Sequence, residues 1–399
     1  MSGLLADLLQ NSRALQVHQQ QVQTSGRNLA HVNDPSYSRQ RVITSNNAPV
    51  VTPHGIVPTG IDFDGFAQAR SKILDARIIG ERTDSASWET RYYAAADIES
   101  SLGEFIGGPD GVATPDNVAH NHDRASLSSA LTAFFNGFQE WSVDPTDPVR
   151  RQGVIHRADQ LVEQFGQVDA RLRESENAWI GSIQEDVRSA NTLLDKIASI
   201  NERIAVLEGS SRGIATELRD ARQSALEDLA KLVNFDVAYP GGAAKGAVLS
   251  LRNDSGSTTQ LLDGRHVLGD FAYDPATGDL TFGAGGTVLE PSGGSIHGHM
   301  VARADYFEPV RSRVDALADQ VVTAVNATYA GATGAPVFFD PAGLTAGTIA
   351  RDSSNTSDTL VAGNTPDSGD NTVARELGRL ASRAFDTGAG DAISGTFID

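Results

Sequence analysis

Two histidine clusters make the strongest case for chemistry in this chain: His120-Asn121-His122-Asp123 and His297-Gly298-His299. The first gathers two imidazoles and a carboxylate. The second, read as an extended strand, would set both rings on one face. Either could ligate a metal, because neutral imidazole is a common metal ligand. Neither has a further ligand cluster beside it, and both lie among small residues, so both read as solvated loop histidines. Ser, His and Asp are all present, yet no Gly-x-Ser-x-Gly elbow surrounds a serine. Gly241-Gly242 and Gly283-Ala284-Gly285-Gly286 lack the downstream residues of phosphate and dinucleotide loops, and they read as β turns. Asp270, Asp274 and Asp279 are acids at close spacing with the look of turn residues. The expectation is no catalytic, metal-ligating or cofactor-binding residue, no cofactor, and a protein that is not an enzyme.

Composition narrows the classes further. At 399 residues the chain is long enough for two or three domains. Its 32 Lys and Arg stand against 51 Asp and Glu, a formal charge of −19. That sign is wrong for tracking phosphates, so no nucleic acid is expected. There is no cysteine, which excludes disulfides and thiolate chemistry. No apolar run approaches eighteen residues, so no membrane span is expected. The N-terminus lacks the basic region and apolar core of a cleaved secretory signal. Taken by itself, that reads as a cytoplasmic protein.

The elements that would position any site are mostly helices. Residues 41–65 read as extended, broken by Pro49, Pro53 and Pro58. A helical stretch runs from Phe66 to Glu104 and a second from Ser126 to Trp141, the latter with Phe134, Phe135 and Phe138 on a broad apolar face. Asp147 suits an N-cap, with Pro148 in the first turn of the next helix. From Val149 to Leu207 the pattern is helical almost without a break. Ile183, Val187, Leu194, Ile197 and Ile204 mark a heptad seam in its second half. A helix of that length spans about 90 Å and must lie against other long helices. Asn201 on the seam reads either as a register-setting polar residue or as part of a frayed end near Gly209, with the second favoured.

Leu218–Val233 is a further amphipathic helix. Short apolar pairs separated by Gly, Asp, Asn and Pro from Phe235 to Gly298 then suggest a small antiparallel β domain. Helix returns from Val301 to Ala330, weak strand signals come next at 337–339 and 348–350, and a short helix spans Thr372–Phe385. The fold class is mainly α with an inserted small β domain (α+β), a long antiparallel helical bundle or coiled-coil rod. Its expected parts are 1–40, an N-terminal helix and turn; 41–234, a helical rod; 235–299, the β domain; and 300–399, the return helix with a loop-rich end.

The N-terminal helix is unusual. Leu8, Leu15, Val22 and Leu29 recur every seven residues, but Asn11, His18 and Ser25 hold the companion column. Ordering a residue costs about 1–2 kcal/mol and burying a Leu returns about 1.5–3, so one stripe cannot hold the segment rigid alone. From Ala14 to Gly26 there is no Asp, Glu, Lys or Arg. Copies stacked side by side would avoid like-charge repulsion there. Two readings stand: a helix that orders inside an assembly of like chains, and a terminal helix packed on its own domain.

The segment from Arg27 to Gln40 resembles the N-terminal signature of bacterial flagellar axial proteins, an Asn-rich helix end followed by a turn and Gly-Tyr-Ser-Arg. Asn28, Asn33, Tyr37, Ser38 and Arg39 fall on it, while Arg27 and Ser36 depart from it. Ile98–Glu104, Phe134-Phe135, Asp147-Pro148, Ile197–Ile204, Leu218–Arg222, Gly294–Gly298 and Gly369-Asp370-Asn371 come in an order similar to that of the flagellar hook-associated protein 1 (hook-filament junction) family. The resemblance covers essentially the whole chain, except that the family's long C-terminal helix has no counterpart before Asp399. It implies an extracellular structural protein of the flagellum, exported without a cleaved signal by the flagellar export apparatus. The implied partners are copies of itself, the hook protein, the second junction protein and an export chaperone. Leu8, Leu15, Val22 and Leu29 would supply axial packing, and Asn28, Asn33, Tyr37 and Arg39 would fix the bend where the helix leaves the core. Another flagellar axial protein (hook, rod or second junction protein), a surface-displayed binding module unrelated to motility, or a hydrolase hidden in the 235–298 module remains as an alternative.

Overall fold

Asp147 sets the start of the longest element: its carboxylate accepts the Val149 N–H at 2.8 Å, and Pro148 occupies the first helical position. The computed structural model describes residues 2–52, 55–57, 59–103, 126–210, 214–240, 242, 246–330, 337–365 and 369–383. His120 and His122 lie outside them. In chain order come α1 (Ser2–Ala30), β1 (Gln40–Asn46), β2 (Val50–Thr52), β3 (Gly55–Val57) and β4 (Ile61–Gln68). Four helices come next: α2 (Lys72–Leu102), α3 (Leu127–Val143), α4 (Pro148–Ser210) and α5 (Thr216–Leu232). Seven short strands, β5 to β11, occupy Asp236–Leu289. Then come α6 (Gly294–Val301), a π turn (Ala302–Phe307), α7 (Glu308–Tyr329) and α8 (Thr372–Arg379). The class is mainly α with small antiparallel sheets.

Two compact units divide the chain, one joining Met1–Thr90 with Ser182–Met300, the other Arg91–Gly181 with Val301–Asp399. In the first unit Ile183, Val187, Leu194 and Ile197 of α4 are buried in one core with Leu226 and Leu229 of α5. Ile204 is fully buried as well. The same core takes in Leu249, Leu251, Leu261, Phe271 and Phe282 from the strands. The seam expected to meet only long helices is therefore covered partly by strand residues. These strands form a four-stranded meander, β5-β6-β7-β8, and a three-stranded sheet ordered β11-β10-β9.

Asn201 corrects one expectation. It is not a frayed end: the helix continues to Ser210 and the side chain is fully buried. Its amide donates to the Gly264 carbonyl at 2.6 Å, and its oxygen accepts from Arg222 Nη1 at 3.0 Å and the Ala247 N–H at 3.3 Å. Gly246, at φ +100°, makes the close approach possible, since a Cβ there would sit 2.9 Å from the Gly264 Cα. The same device recurs. The Asn191 carboxamide pairs with both backbone groups of Phe271, at 3.0 and 2.8 Å. In the second unit Asn326 donates to the Phe339 carbonyl and accepts the Phe338 and Phe339 N–H groups, each at 2.9 Å. A carboxamide carries a donor and an acceptor at peptide spacing, so an Asn on a helix can stand in for a neighbouring strand. That role offsets its poor helix propensity.

Two further expectations are corrected. Phe66 lies in β4 rather than in a helix, and α2 begins only at Lys72. His297 and His299 sit on α6 rather than a strand. Gly294, at φ +85°, turns the chain tightly against the Leu232 carbonyl, where any Cβ would clash, and the helix starts there. Two positions apart on a helix, the rings point to different partners. His297 Nδ1 lies 3.2 Å from Ser87 Oγ, and His299 Nε2 lies 3.5 Å from Asp186.

The core of the second unit is aromatic. Phe134, Phe138 and Trp141 of α3 pack with Tyr329, Phe338 and Phe339, all fully buried. Tyr329 and Phe338 meet edge to face at 5.6 Å, and the Tyr329 hydroxyl accepts the Val361 N–H at 3.1 Å. The strand signals at 337–339 and 348–350 reduce to one bridge, Phe339 to Arg351. Two successive turns there are built alike. Asp340 and Asp352 accept the N–H two residues on, at 2.9 and 2.8 Å, and the Thr348 and Thr359 hydroxyls accept from Thr345 N and Thr356 N. Each turn ends by burying one aliphatic residue, Ile349 or Leu360. Asp370, just before α8, accepts from the hydroxyls and N–H groups of Thr372 and Thr365. These bonds, those of Thr372 foremost, hold its carboxyl well below the usual range.

Candidate assembly interface

Helix α1 does not bury its leucine column. Val17 is 2% and Thr24 3% exposed, while Leu8, Leu15, Val22 and Leu29 are 67–74% exposed. Leu15 and Val17 are two positions apart, about 200° around the helix, so the leucines point away from the covered side. The covering elements are β1 and β4, a two-stranded antiparallel ribbon with a bulge between Ile43 and Thr44. The base of the ribbon sits on the Val17 side, where Gly60 lies against Gln10. Burying Thr24 while Val22 stays in water is not an arrangement the hydrophobic effect selects within the lone chain. Four large side chains at heptad spacing are left in water, each worth about 1.5–3 kcal/mol if covered.

The bend after α1 is held by a polar network. The Asn28 carboxamide pairs with both backbone groups of Gln40, at 2.9 and 3.0 Å, and also accepts the Tyr37 hydroxyl at 2.9 Å. Asp34 takes the Ser36 N–H and hydroxyl at 2.9 and 2.7 Å, closing the turn, and these bonds lower its pKa. His31 stacks on Tyr37 at 4.7 Å, and burial pushes the Tyr37 phenol up. No described residue other than glycine has a positive φ, so the turn accepts Ser36 where the flagellar pattern has Gly.

Helix α5 anchors this bend. The Ser38 N–H donates to Asp220 at 3.2 Å, Arg70 Nε donates to Ser38 Oγ at 2.7 Å, and Arg70 reaches Asp220 at 3.5 Å. Gln40 and Gln68 both donate to Thr216, one to its hydroxyl and the other to its carbonyl. Burial raises the Asp220 pKa against the pull of Ser38 and Arg70. The folded state therefore holds this proton more tightly than the unfolded chain does. The stability of the bend falls as pH rises from the ordinary carboxylate value through the raised one, and it is level above that.

Of the residues singled out in the sequence, the structure brings Asn28, Tyr37 and Ser38 together. Asn33 and Arg39 are exposed and stand outside the network, Arg39 contributing its backbone carbonyl to Ala69. Gln40, Arg70, Thr216 and Asp220 escape sequence reasoning. The signal for Thr216 and Asp220 lies on α5, where with Gln223 they extend the inward stripe of Leu226 and Ala230 with polar residues. Polar groups on a buried stripe need partners.

Known proteins share this plan. Residues 113–337 match the family model described as the flagellar hook-associated protein FlgK helical domain. Flagellar hook-associated protein 1 of Salmonella typhimurium is 24% identical over 345 residues, covering 82% of this chain and 57% of that relative. The protein of the same name from Bacillus subtilis is 24% identical over 308 residues, covering 72% and 57%. The chain thus spans little more than half the length of these relatives. The solved flagellar hook junction protein FlgK of Burkholderia pseudomallei shares the fold, with a TM-score of 0.52 at 22% identity over 64% of this chain and 44% of that one. More than half of the chain, including all of α4 and α5, matches one family model, and the chain belongs to the flagellar hook-associated protein FlgK helical domain family.

Proposed function

We propose that this chain is a structural subunit of the bacterial flagellum, assembling with its own copies at the junction of hook and filament. The observation that carries the reading is the outward column Leu8, Leu15, Val22 and Leu29 on a helix that buries Val17 and Thr24 instead. A monomeric protein has no use for that arrangement, whereas a subunit surrounded by neighbours covers both columns. The uncharged stretch from Ala14 to Gly26 lets copies of a chain with charge −19 approach there without repulsion. The polar bend at Asn28 and Tyr37 would then fix the angle at which the axial helix leaves the body. Rod-core residues Ile183, Val187, Leu194, Ile197 and Ile204 serve the stiffness of that body.

Family membership extends the reading to partners: the hook protein on one side, the second junction protein on the other, and an export chaperone before assembly. Export would proceed through the flagellar apparatus, and the site of action would be extracellular. Deleting the gene in the source bacterium is the test. Electron microscopy should then show cells with hooks and no filaments. Normal filaments in that strain would contradict the reading.

A further inference from the structure

The hairpin of β2 and β3 is a second uncovered apolar feature in the first unit. Val51 and Ile56 are directly opposed in its register, so their side chains share one face. They are 79% and 71% exposed. A lone two-stranded hairpin is marginal in water and needs a surface to lie on. The sequence around it is unusual as well: no Asp, Glu, Lys or Arg occurs from Val42 to Ile61, in a chain that is 21% charged. This hairpin and the Leu15–Val22 part of the leucine column of α1 are thus both exposed, apolar and without charged neighbours in sequence.

We infer that the β2–β3 hairpin docks, through Val51 and Ile56, on the leucine column of α1 in a second copy of the chain. Charge matching names the occupant. Two chains of net charge −19 repel over most of their surfaces, and a neutral patch costs least to desolvate against another neutral patch. The hairpin's own α1 is not available. The base of the ribbon lies on the Gln10 and Val17 side of that helix, opposite the leucines. The two surfaces differ, so each copy gives a hairpin and receives one. That is a heterologous contact, which propagates into a ring or a helical array rather than closing as a dimer. The inference rests on the assembly reading and adds to it the surface that meets the axial helix.

The absence of native cysteine makes the test clean. Leu15→Cys and Val51→Cys chains are purified separately, mixed at a concentration where the wild-type chain sediments as an assembly, and oxidised. The expected main product is a covalent dimer joining positions 15 and 51. A control mixture of Val51→Cys with Val143→Cys, another exposed position, should give none. The double variant Val51→Asp, Ile56→Asp should raise the critical concentration at least tenfold with an unchanged melting temperature. If the wild type assembles but the 15–51 product is absent, or the double variant assembles normally, the docking contact is wrong and the assembly reading survives. A wild-type chain that stays monomeric at every concentration overturns both.

Discussion

Leu15→Asp is expected to raise the critical concentration for assembly about a hundredfold or more, while the lone chain melts within about 2 °C of the wild type. The two halves of this expectation have different origins. In the lone chain Leu15 is 71% exposed, and exposed substitutions away from caps and networks change stability by roughly 0.5 kcal/mol or less. For a unit of 150–250 residues that is a shift of about 2 °C at most. In an assembly the same position would be covered, so the variant loses about 2 kcal/mol of leucine burial and leaves a carboxylate desolvated without a partner, at a further cost of about 2–5 kcal/mol. Each 1.4 kcal/mol is roughly tenfold in an equilibrium constant. Light scattering against concentration measures the assembly, and thermal unfolding by circular dichroism measures the fold. A variant that melts early would show instead that Leu15 already packs within its own chain.

Asn201→Ala is expected to destabilise the first unit by about 3–4 kcal/mol, lowering its melting temperature by roughly 10 °C. The substitution removes a donor from the Gly264 carbonyl and an acceptor from both the Ala247 N–H and the Arg222 guanidinium. The buried Gly264 carbonyl and Ala247 N–H, deprived of this partner, cost about 1–3 kcal/mol each, while Arg222 loses one of its contacts. Arg222 stacks on Tyr239 at 5.0 Å and sits where burial lowers its pKa, so losing one acceptor there adds to the cost without leaving the guanidinium alone. Asn191→Ala breaks the same kind of pairing nearer the surface and should cost less than half as much. Equal and small effects of the two substitutions in urea unfolding would show that Asn201 is merely tolerated in the core.

The long helices are legible because their periodicity is local. Ile183, Val187, Leu194 and Ile197 repeat at heptad spacing whatever packs on them, and Asp147 with Pro148 marks a helix start by its own chemistry. What covers a seam is not local. That part of it is met by Leu249, Leu251 and Phe271 depends on the return of strands much later in the chain. Phe66 misleads for a different reason. Ile61-Asp62-Phe63-Asp64 alternates as a strand should, but the shift of register between Ile43 and Thr44 breaks the alternation before Phe66, and the apolar run after it reads as helix. His297 and His299 read as strand because nothing before Gly294 announces its left-handed turn.

The site divides along the same line. The column Leu8, Leu15, Val22 and Leu29 can be read from spacing alone, but spacing does not say which way a column faces. Only the folded chain shows Val17 and Thr24 turned inward and the leucines outward. Asn28 and Tyr37 are marked by a short pattern, whereas Asp220 and Arg70 join them through contacts 182 and 32 residues away from Ser38. Contacts of that separation leave no periodic trace.

Amide hydrogen exchange along α1 tests the central claim most directly. A helix covered on one narrow face opens at low free energy, and the same helix enclosed by neighbours does not. In the lone chain, amides of residues 8–30 should exchange at least a hundredfold faster than those of α4 between Ile183 and Ile204. On assembly they should slow until the two regions are comparable. Protection of residues 8–30 equal to that of α4 in the dilute monomer, unchanged when copies are concentrated together, would contradict the account.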